Sequence, residues 1–226
     1  MIKEVRVLQN VNYQKKLDEV IAQVEKSAER PTLLLHACCA PCSSYVLEYL
    51  TKYFRIVLFY YNPNISPKEE FEKRTRELKR LVGEMPLNDK TEVIVGDYDV
   101  REFYDIAKGL EDLPEGSERC FRCYRLRLEK TAQLAKKLGA DWFTTTLSIS
   151  PYKNAQKLNE ISSELAAVYG VNALPADFKK KGGYKRSIEL SAKYGLYRQD
   201  YCGCVFSKAE RDKKKSEQDE KNNSCG

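Results

Sequence analysis

Apolar and polar positions along the chain follow two periods, and the switches between them divide it into elements. Over residues 11–29, Leu17, Val20, Ile21 and Val24 recur at three- and four-residue steps, which predicts a helix that Pro31 ends. Thr32 to Ala37 is a short continuous apolar run, the pattern of a strand buried on both faces. A helix is expected from Ser43 or Ser44, with Val46, Leu47 and Leu50 inward, then a second buried strand over Arg55 to Tyr61. Asn62-Pro63-Asn64 turns the chain. Ser66 and Glu69 have capping-box spacing, with Pro67 at the first helical position, and predict a helix to about Val82.

Thr91 to Val95 reads as a third strand and Asp99 as an N-cap. A long helix is expected from Cys120 to Gly139, and a threonine-rich fourth strand over Trp142 to Leu147. Ser150-Pro151 is expected to open a helix with Leu158, Ile161, Leu165 and Tyr169 on one stripe, closed by Gly170. A short strand near Val171 to Leu174 and a helix around Ser187 to Tyr194 complete the pattern. Strands alternating with helices predict an α/β domain over residues 1–206, its mostly parallel sheet of about five strands covered on both faces. From Ser207 onward the chain is polar and of mixed sign, and a flexible tail is expected over 207–226.

Composition changes this picture little until the cysteines are counted. Apolar residues make up 42% and charged residues 32%, and 39 basic against 33 acidic side chains leave +6, a balance compatible with nucleic acid. The first residues carry no apolar signal core, and no stretch approaches the roughly 20 residues that span a bilayer. A cytoplasmic location is therefore expected, with no membrane association. In a reducing compartment eight cysteines point to metal or redox chemistry rather than structural disulfides.

Seven of the eight fall in three groups: Cys38, Cys39 and Cys42; Cys120 and Cys123; Cys202 and Cys204. Cys225 stands apart. Thiolates bind metal, and helix starts and nearby cations favour the thiolate. Arg119, Arg122, Arg125 and Arg127 surround the second group and are expected to act this way. Structural zinc needs four ligands, so seven cysteines exceed one zinc site and suit an iron–sulfur cluster with thiols left over. Zinc and thiol–disulfide exchange remain as alternatives at this level. Adjacent Cys38 and Cys39 are expected to diverge and to serve different metals.

Other candidates flank these groups. Asp97 and Tyr98 follow the third strand and are expected at the cleft, as a ligand or proton donor and a hydroxyl. His36, the single histidine, reads as a satisfied core residue. Lys179, Lys180, Lys181, Tyr184, Lys185 and Arg186 lie in a basic loop, 176–186, with no acid among the last eight residues. That combination suits phosphate contacts and stacking on an unpaired base. No Gly-x-x-x-x-Gly-Lys-Ser/Thr loop and no Gly-x-Gly-x-x-Gly is present, so nothing calls for ATP or a nicotinamide.

Cys38-Cys39-Ala40-Pro41-Cys42, Arg119-Cys120-x-x-Cys123-Tyr124-x-x-Arg127, Gly96-Asp97-Tyr98, Lys181-Gly182-Gly183-Tyr184-Lys185 and Tyr201-Cys202-Gly203-Cys204 together resemble the QueH-type epoxyqueuosine reductases, over Thr32 to Phe206. The resemblance implies a Rossmann-like fold of the HUP type in which Cys38 to Cys42 occupy the phosphate-binding turn. It implies two-electron deoxygenation of the epoxyqueuosine base at the tRNA wobble position, the last step of queuosine synthesis. It further implies a [4Fe-4S] cluster, an adjacent mononuclear iron ion and an external donor of ferredoxin or flavodoxin type. The expected ligation is Cys120, Cys123 and Cys202 with Cys38 or Cys42 on the cluster, and Cys39, Cys204 and Asp97 near the second iron. A zinc-binding RNA protein without redox activity is the alternative, separable by metal content.

Overall fold

The computed structural model describes residues 11–27 and 29–223, with side chains up to residue 219, so Cys225 lies outside the described residues. Five strands form one all-parallel sheet in the order β3-β2-β1-β4-β5. They are β1 (Thr32–His36), β2 (Arg55–Tyr60), β3 (Glu92–Val95), β4 (Trp142–Thr145) and β5 (Asn172–Ala173). The α/β expectation therefore holds.

Side chains alternate across the sheet. Leu33 and Leu35 of β1 join Ile56, Leu58 and Tyr60 of β2 in one core. That core is covered by α1 (Tyr13–Val24), α2 (Ala40–Leu50) and α3 (Lys68–Glu84). Leu34 and Phe59 face the other core, against α5 (Glu118–Leu138) and α6 (Ala155–Tyr169). Leu17 and Ile21 of α1 are buried, and each contributes about 1.5–3 kcal/mol by leaving water. The chain leaves β1 towards β2 on one side and β4 lies on the other. The crevice beyond the carboxyl ends of β1 and β4 is thus the topological switch point, where ligands bind in such sheets.

Several boundaries differ from expectation for local reasons. Helix α2 starts at Ala40, because Cys39 caps it by accepting from the Cys42 N–H at 3.4 Å. Cys42, Ser43 and Ser44 therefore lie inside the helix. The Ser66–Glu69 capping box does not form: Pro67 is the N-cap, and the Ser66 N–H donates to the Gly203 carbonyl at 2.9 Å. Helix α6 opens only at Ala155, capped by Asn154, and β4 gives way after Thr145 to a 3₁₀ turn, Thr146–Ile149. Asp99 does cap a helix, α4 (Val100–Ala107), through the Arg101 N–H at 3.0 Å.

Two further helices depart more. Helix α7 (Gly183–Lys193) takes up the last four residues of the expected basic loop. Gly183 is required there, since a Cβ would lie 2.0 Å from the Phe178 carbonyl and 2.5 Å from the Tyr45 ring. Residues expected as a flexible tail form α8 (Val205–Asn223). Its first turn packs Phe206 on Phe103 and Arg119. Beyond that, without an apolar stripe, it is attached by polar contacts: Glu210 to Arg119 at 3.2 Å, and Lys215 and Arg211 to Asp200.

Candidate metal centre

The end of β1 fixes the first cysteine group. His36 is fully buried, its Nε2–H donating to the Tyr61 carbonyl at 3.0 Å and its Nδ1 accepting from the Thr145 hydroxyl at 2.8 Å. Burial and the nearby Arg127 cation push its pKa down to about 3, so it is a neutral tie between β1, β2 and β4, the core role expected of it. The chain bends at Cys38 and enters α2 through the extended Cys39. That bend overturns the expected divergence of Cys38 and Cys39. Their sulfurs lie 3.8 Å apart, and the Sγ atoms of Cys38, Cys39 and Cys42 all lie within 4.8 Å of one another. Thr146, first residue of the 3₁₀ turn after β4, holds Cys38, accepting from its N–H at 3.2 Å and donating to its sulfur at 3.4 Å.

One negative charge is favoured in this triad. Hydrogen bonds from Cys38 and Cys42, with the Arg74 cation, hold the Cys39 thiol well below its usual range. The same sharing pushes Cys38 up to about 11 and Cys42 well above its usual range. The triad lines a cavity of about 700 Å³, together with Asn62, Arg74, Arg127, Lys153 and Cys202.

The other four cysteines meet at a second, much smaller cavity of about 10 Å³, lined by Cys120, Cys123, Cys202 and Cys204 with Arg119, Arg127 and Lys153. Cys120 and Cys123 come from the first two turns of α5. Cys202 and Cys204 come from the turn before α8. Gly203 between them has φ +112° and packs so that a Cβ would lie 2.9 Å from Ile65 and 3.0 Å from Arg74. This turn is pinned on three sides. Ser66 donates to Gly203, Arg74 Nη1 donates to the Cys202 carbonyl at 3.2 Å, and the Cys202 N–H donates to the Ser207 hydroxyl at 3.0 Å. Cys202 lines both cavities. The grouping is four and three, with Cys204 beside Cys202 and not beside Cys39.

Four cations are buried around these sulfurs: Arg74, Arg119, Arg127 and Lys153. Arg74 pairs with Glu70 at 2.7 Å, Arg119 with Glu210 at 3.2 Å and Lys153 with Glu115 at 2.6 Å. Arg127, 1% exposed, makes no ion pair with a carboxylate among the described residues. Its Nη1 reaches only the Asn62 side chain at 3.4 Å, and its Nη2 is buried without a partner, as is Nη2 of Arg74. An isolated buried guanidinium is costly unless an anion faces it, and the groups facing Arg127 are Cys123, Cys202 and Cys38. Cys202 is held well below its usual range by a hydrogen bond from Cys204 and by Lys153 and Arg127, and Cys204 is raised in turn.

The expectation that arginines lower Cys120 and Cys123 fails. Burial outweighs them, raising Cys120 and pushing Cys123 up to about 11. Arg122 and Arg125 turn outward to Glu118 and Glu164.

Asp97 and Tyr98 do not join the sulfurs. Asp97 is exposed and lines neither cavity. Tyr98 donates its hydroxyl to the Ile65 carbonyl at 2.9 Å and packs its ring 4.4 Å from that of Phe71, a structural use. In the basic segment, Lys179 pairs with Asp177, Lys181 with Asp18, and Arg186 with Glu48 and Glu189. Only Tyr184 of the six candidates lines the large cavity. Arg74 and Lys153 were missed in the sequence. Arg74 reads there as half of an ordinary i,i+4 surface pair, and Lys153 follows an exposed tyrosine with no apolar neighbour to hint at burial.

Comparison with known proteins places this arrangement among relatives. The family model described as Epoxyqueuosine reductase QueH matches residues 33–210. Proteins named Epoxyqueuosine reductase QueH are similar over most of the chain. That of Staphylococcus epidermidis is 44% identical over 88% of this chain and 85% of its own. That of Streptococcus pyogenes serotype M1 is 43% identical over 88% and 79%, and that of Thermotoga maritima 41% identical over 82% and 95%.

Proposed function

The chain belongs to the epoxyqueuosine reductase QueH family and is an oxidoreductase, and from that premise we propose that it reduces the epoxyqueuosine base at the wobble position of tRNA through an iron–sulfur centre held by its seven clustered cysteines. The observation that carries the reading is the pair of thiol sets sharing Cys202 around a buried arginine that lacks a carboxylate.

The residues suit the groups the family implies. Four sulfurs from Cys120, Cys123, Cys202 and Cys204 match the ligand number of a [4Fe-4S] cluster, and Arg127, Lys153 and Arg119 beside them offset anionic charge. The space between them is about that of one water, so holding a cluster requires the four side chains to move apart. Cys38, Cys39 and Cys42 offer three sulfurs on the wall of the open cavity, a set that leaves a coordination position towards substrate. Bound there, the cluster would supply electrons singly and an adjacent iron ion would act as a Lewis acid towards the epoxide oxygen.

The chain's own groups do the rest. The large cavity, about 700 Å³, is of a size to take one splayed-out nucleoside. The triad lines it with Cys39 buried and Cys38 and Cys42 half-buried, which limits the water around the reacting oxygen. Two electrons and two protons convert the epoxide to an alkene and water. The electrons come from an external reductant of ferredoxin or flavodoxin type.

Anaerobic purification with iron, sulfide and zinc determination and EPR, followed by assay on epoxyqueuosine-containing tRNA, tests this. Iron and sulfide with turnover are expected. A colourless protein holding zinc alone, or turnover that survives metal removal, overturns it.

A further inference from the structure

The large cavity opens between two walls that the metal centre does not use. One is α8 with residues 198–201, ahead of the cysteine turn, which brings Arg198, Arg211, Lys214 and Lys215 to the mouth. The other carries Tyr152, 77% exposed although it lines the cavity. Seven cationic side chains line the cavity against three carboxylates, Glu115, Asp200 and Glu210. Glu115 and Glu210 face inward cations, Lys153 and Arg119. Asp200 is the lining carboxylate at the mouth, held between Arg211 and Lys215, the latter at 2.7 Å, and Arg211 also pairs with Asp212 at 2.7 Å. Lys214 makes no ion pair among the described residues. Arg211 also lies 4.9 Å from the Tyr201 ring centroid, and Arg74 5.3 Å.

We propose that this mouth, and not the segment 179–186, is the surface that grips RNA: Arg198, Arg211, Lys214 and Lys215 hold backbone phosphates, and Tyr152 stacks on an unpaired base beside the one admitted to the cavity. The inference rests on the tRNA reading above. Three observations support it. No cation of 179–186 lines the cavity, and Lys179, Lys181 and Arg186 are taken by Asp177, Asp18, Glu48 and Glu189, whereas all four mouth cations line it, Arg211 and Lys215 pairing with Asp200 and Asp212 and Arg198 and Lys214 making no ion pair among the described residues. Arg211 and Lys215 already hold an oxyanion, the Asp200 carboxylate, in the way a phosphate would be held. An exposed tyrosine at a cationic opening supplies a face for any base. An acidic redox protein would meet the same charge, but only a polynucleotide can fill the mouth and the cavity below it at once.

Asp200 competes with phosphate, so it gives the proposal a sign. The test is fluorescence anisotropy of the anaerobically prepared full chain with a synthetic anticodon stem-loop RNA across a salt series. K214E/K215E is expected to weaken binding about tenfold or more and to reduce the log–log salt slope by about 1 to 2. D200N is expected to tighten binding severalfold. Y152A is expected to weaken it roughly tenfold, with Y152F restoring it. If K214E/K215E and D200N bind as the parent does while K180A/K185A loses affinity, the mouth is not the RNA surface. A mouth variant that binds RNA normally but accepts electrons slowly from a reduced ferredoxin also overturns the proposal. A parent protein that binds no stem-loop yet reduces the free nucleoside overturns both this proposal and the tRNA reading, whereas the two preceding outcomes leave that reading intact.

Discussion

The triad and the quartet of cysteines differ in what holds them. Cys38, Cys39 and Cys42 sit on one bend between β1 and α2, positioned by a strand register and a helix cap. Cys120 and Cys123 must meet Cys202 and Cys204, from opposite ends of the second half of the chain, and that meeting depends on α8, the Gly203 turn and buried ion pairs. A local site is built by backbone geometry, and a nonlocal one by contacts that a single side chain can remove. Cys202 and Arg127 touch both.

The difference can be broken most severely at Cys202. C202A is expected to deplete iron from both sets and abolish turnover, whereas C39A is expected to spare sulfide and deplete only the iron of the triad. Metal and sulfide analysis separates them, and full iron retention in C202A would dissolve the idea of a shared ligand.

Arg127 comes next. In metal-loaded protein R127M removes the countercharge of both sets and is expected to cost about 3–5 kcal/mol in anaerobic urea unfolding. In metal-free protein the same change is expected to be neutral or stabilising, because a buried unpaired cation disappears. Equal effects in the two forms would mean that Arg127 answers to something other than the bound anion.

His36 probes the triad side alone. Its folded pKa of about 3 lies below the unfolded value near 6.5. Above pH 6.5 both states are neutral and His36 adds no pH dependence. Below it the unfolded chain takes up a proton that the folded one refuses, so stability falls by about 1.4 kcal/mol per pH unit towards pH 3. At pH 5 this amounts to about 2 kcal/mol, and H36N should flatten that part of the profile. A slope unchanged in H36N assigns it elsewhere.

Glu210 probes the quartet side. E210Q weakens the attachment of α8 to Arg119 and is expected to cost about 1 kcal/mol, with faster iron loss from the quartet than from the triad. D97N should do least. Asp97 is exposed and lines neither cavity, so stability within about 0.5 kcal/mol and unchanged iron content are expected; loss of iron would return it to the ligand set.

Strand and helix order was legible because buried strands of a parallel sheet are continuous apolar runs and their helices carry a single stripe. Start points were less so. Cys39 and Asn154 took the caps expected of Ser43 and Ser150, since a cap depends on which side chain the turn brings to the free N–H groups, and neighbouring candidates look alike in sequence. Helix α8 was illegible for a stronger reason: beyond Phe206 it has no apolar stripe, and its polar anchors, Arg119 and Asp200, are contributed from outside it.

By itself the sequence determined that a sheet of parallel strands would form, that seven cysteines would be available as soft ligands, and that the first three would stand at the end of β1. Each of these is a property of pattern or composition. Tertiary structure alone decided that Cys204 joins Cys120, Cys123 and Cys202, that Asp97 stays outside, and that α8 and not the basic loop brings cations to the large cavity. Those outcomes turn on which charges and sulfurs are brought within a few ångströms and removed from water, and Coulomb energy under burial depends on that distance and not on separation along the chain.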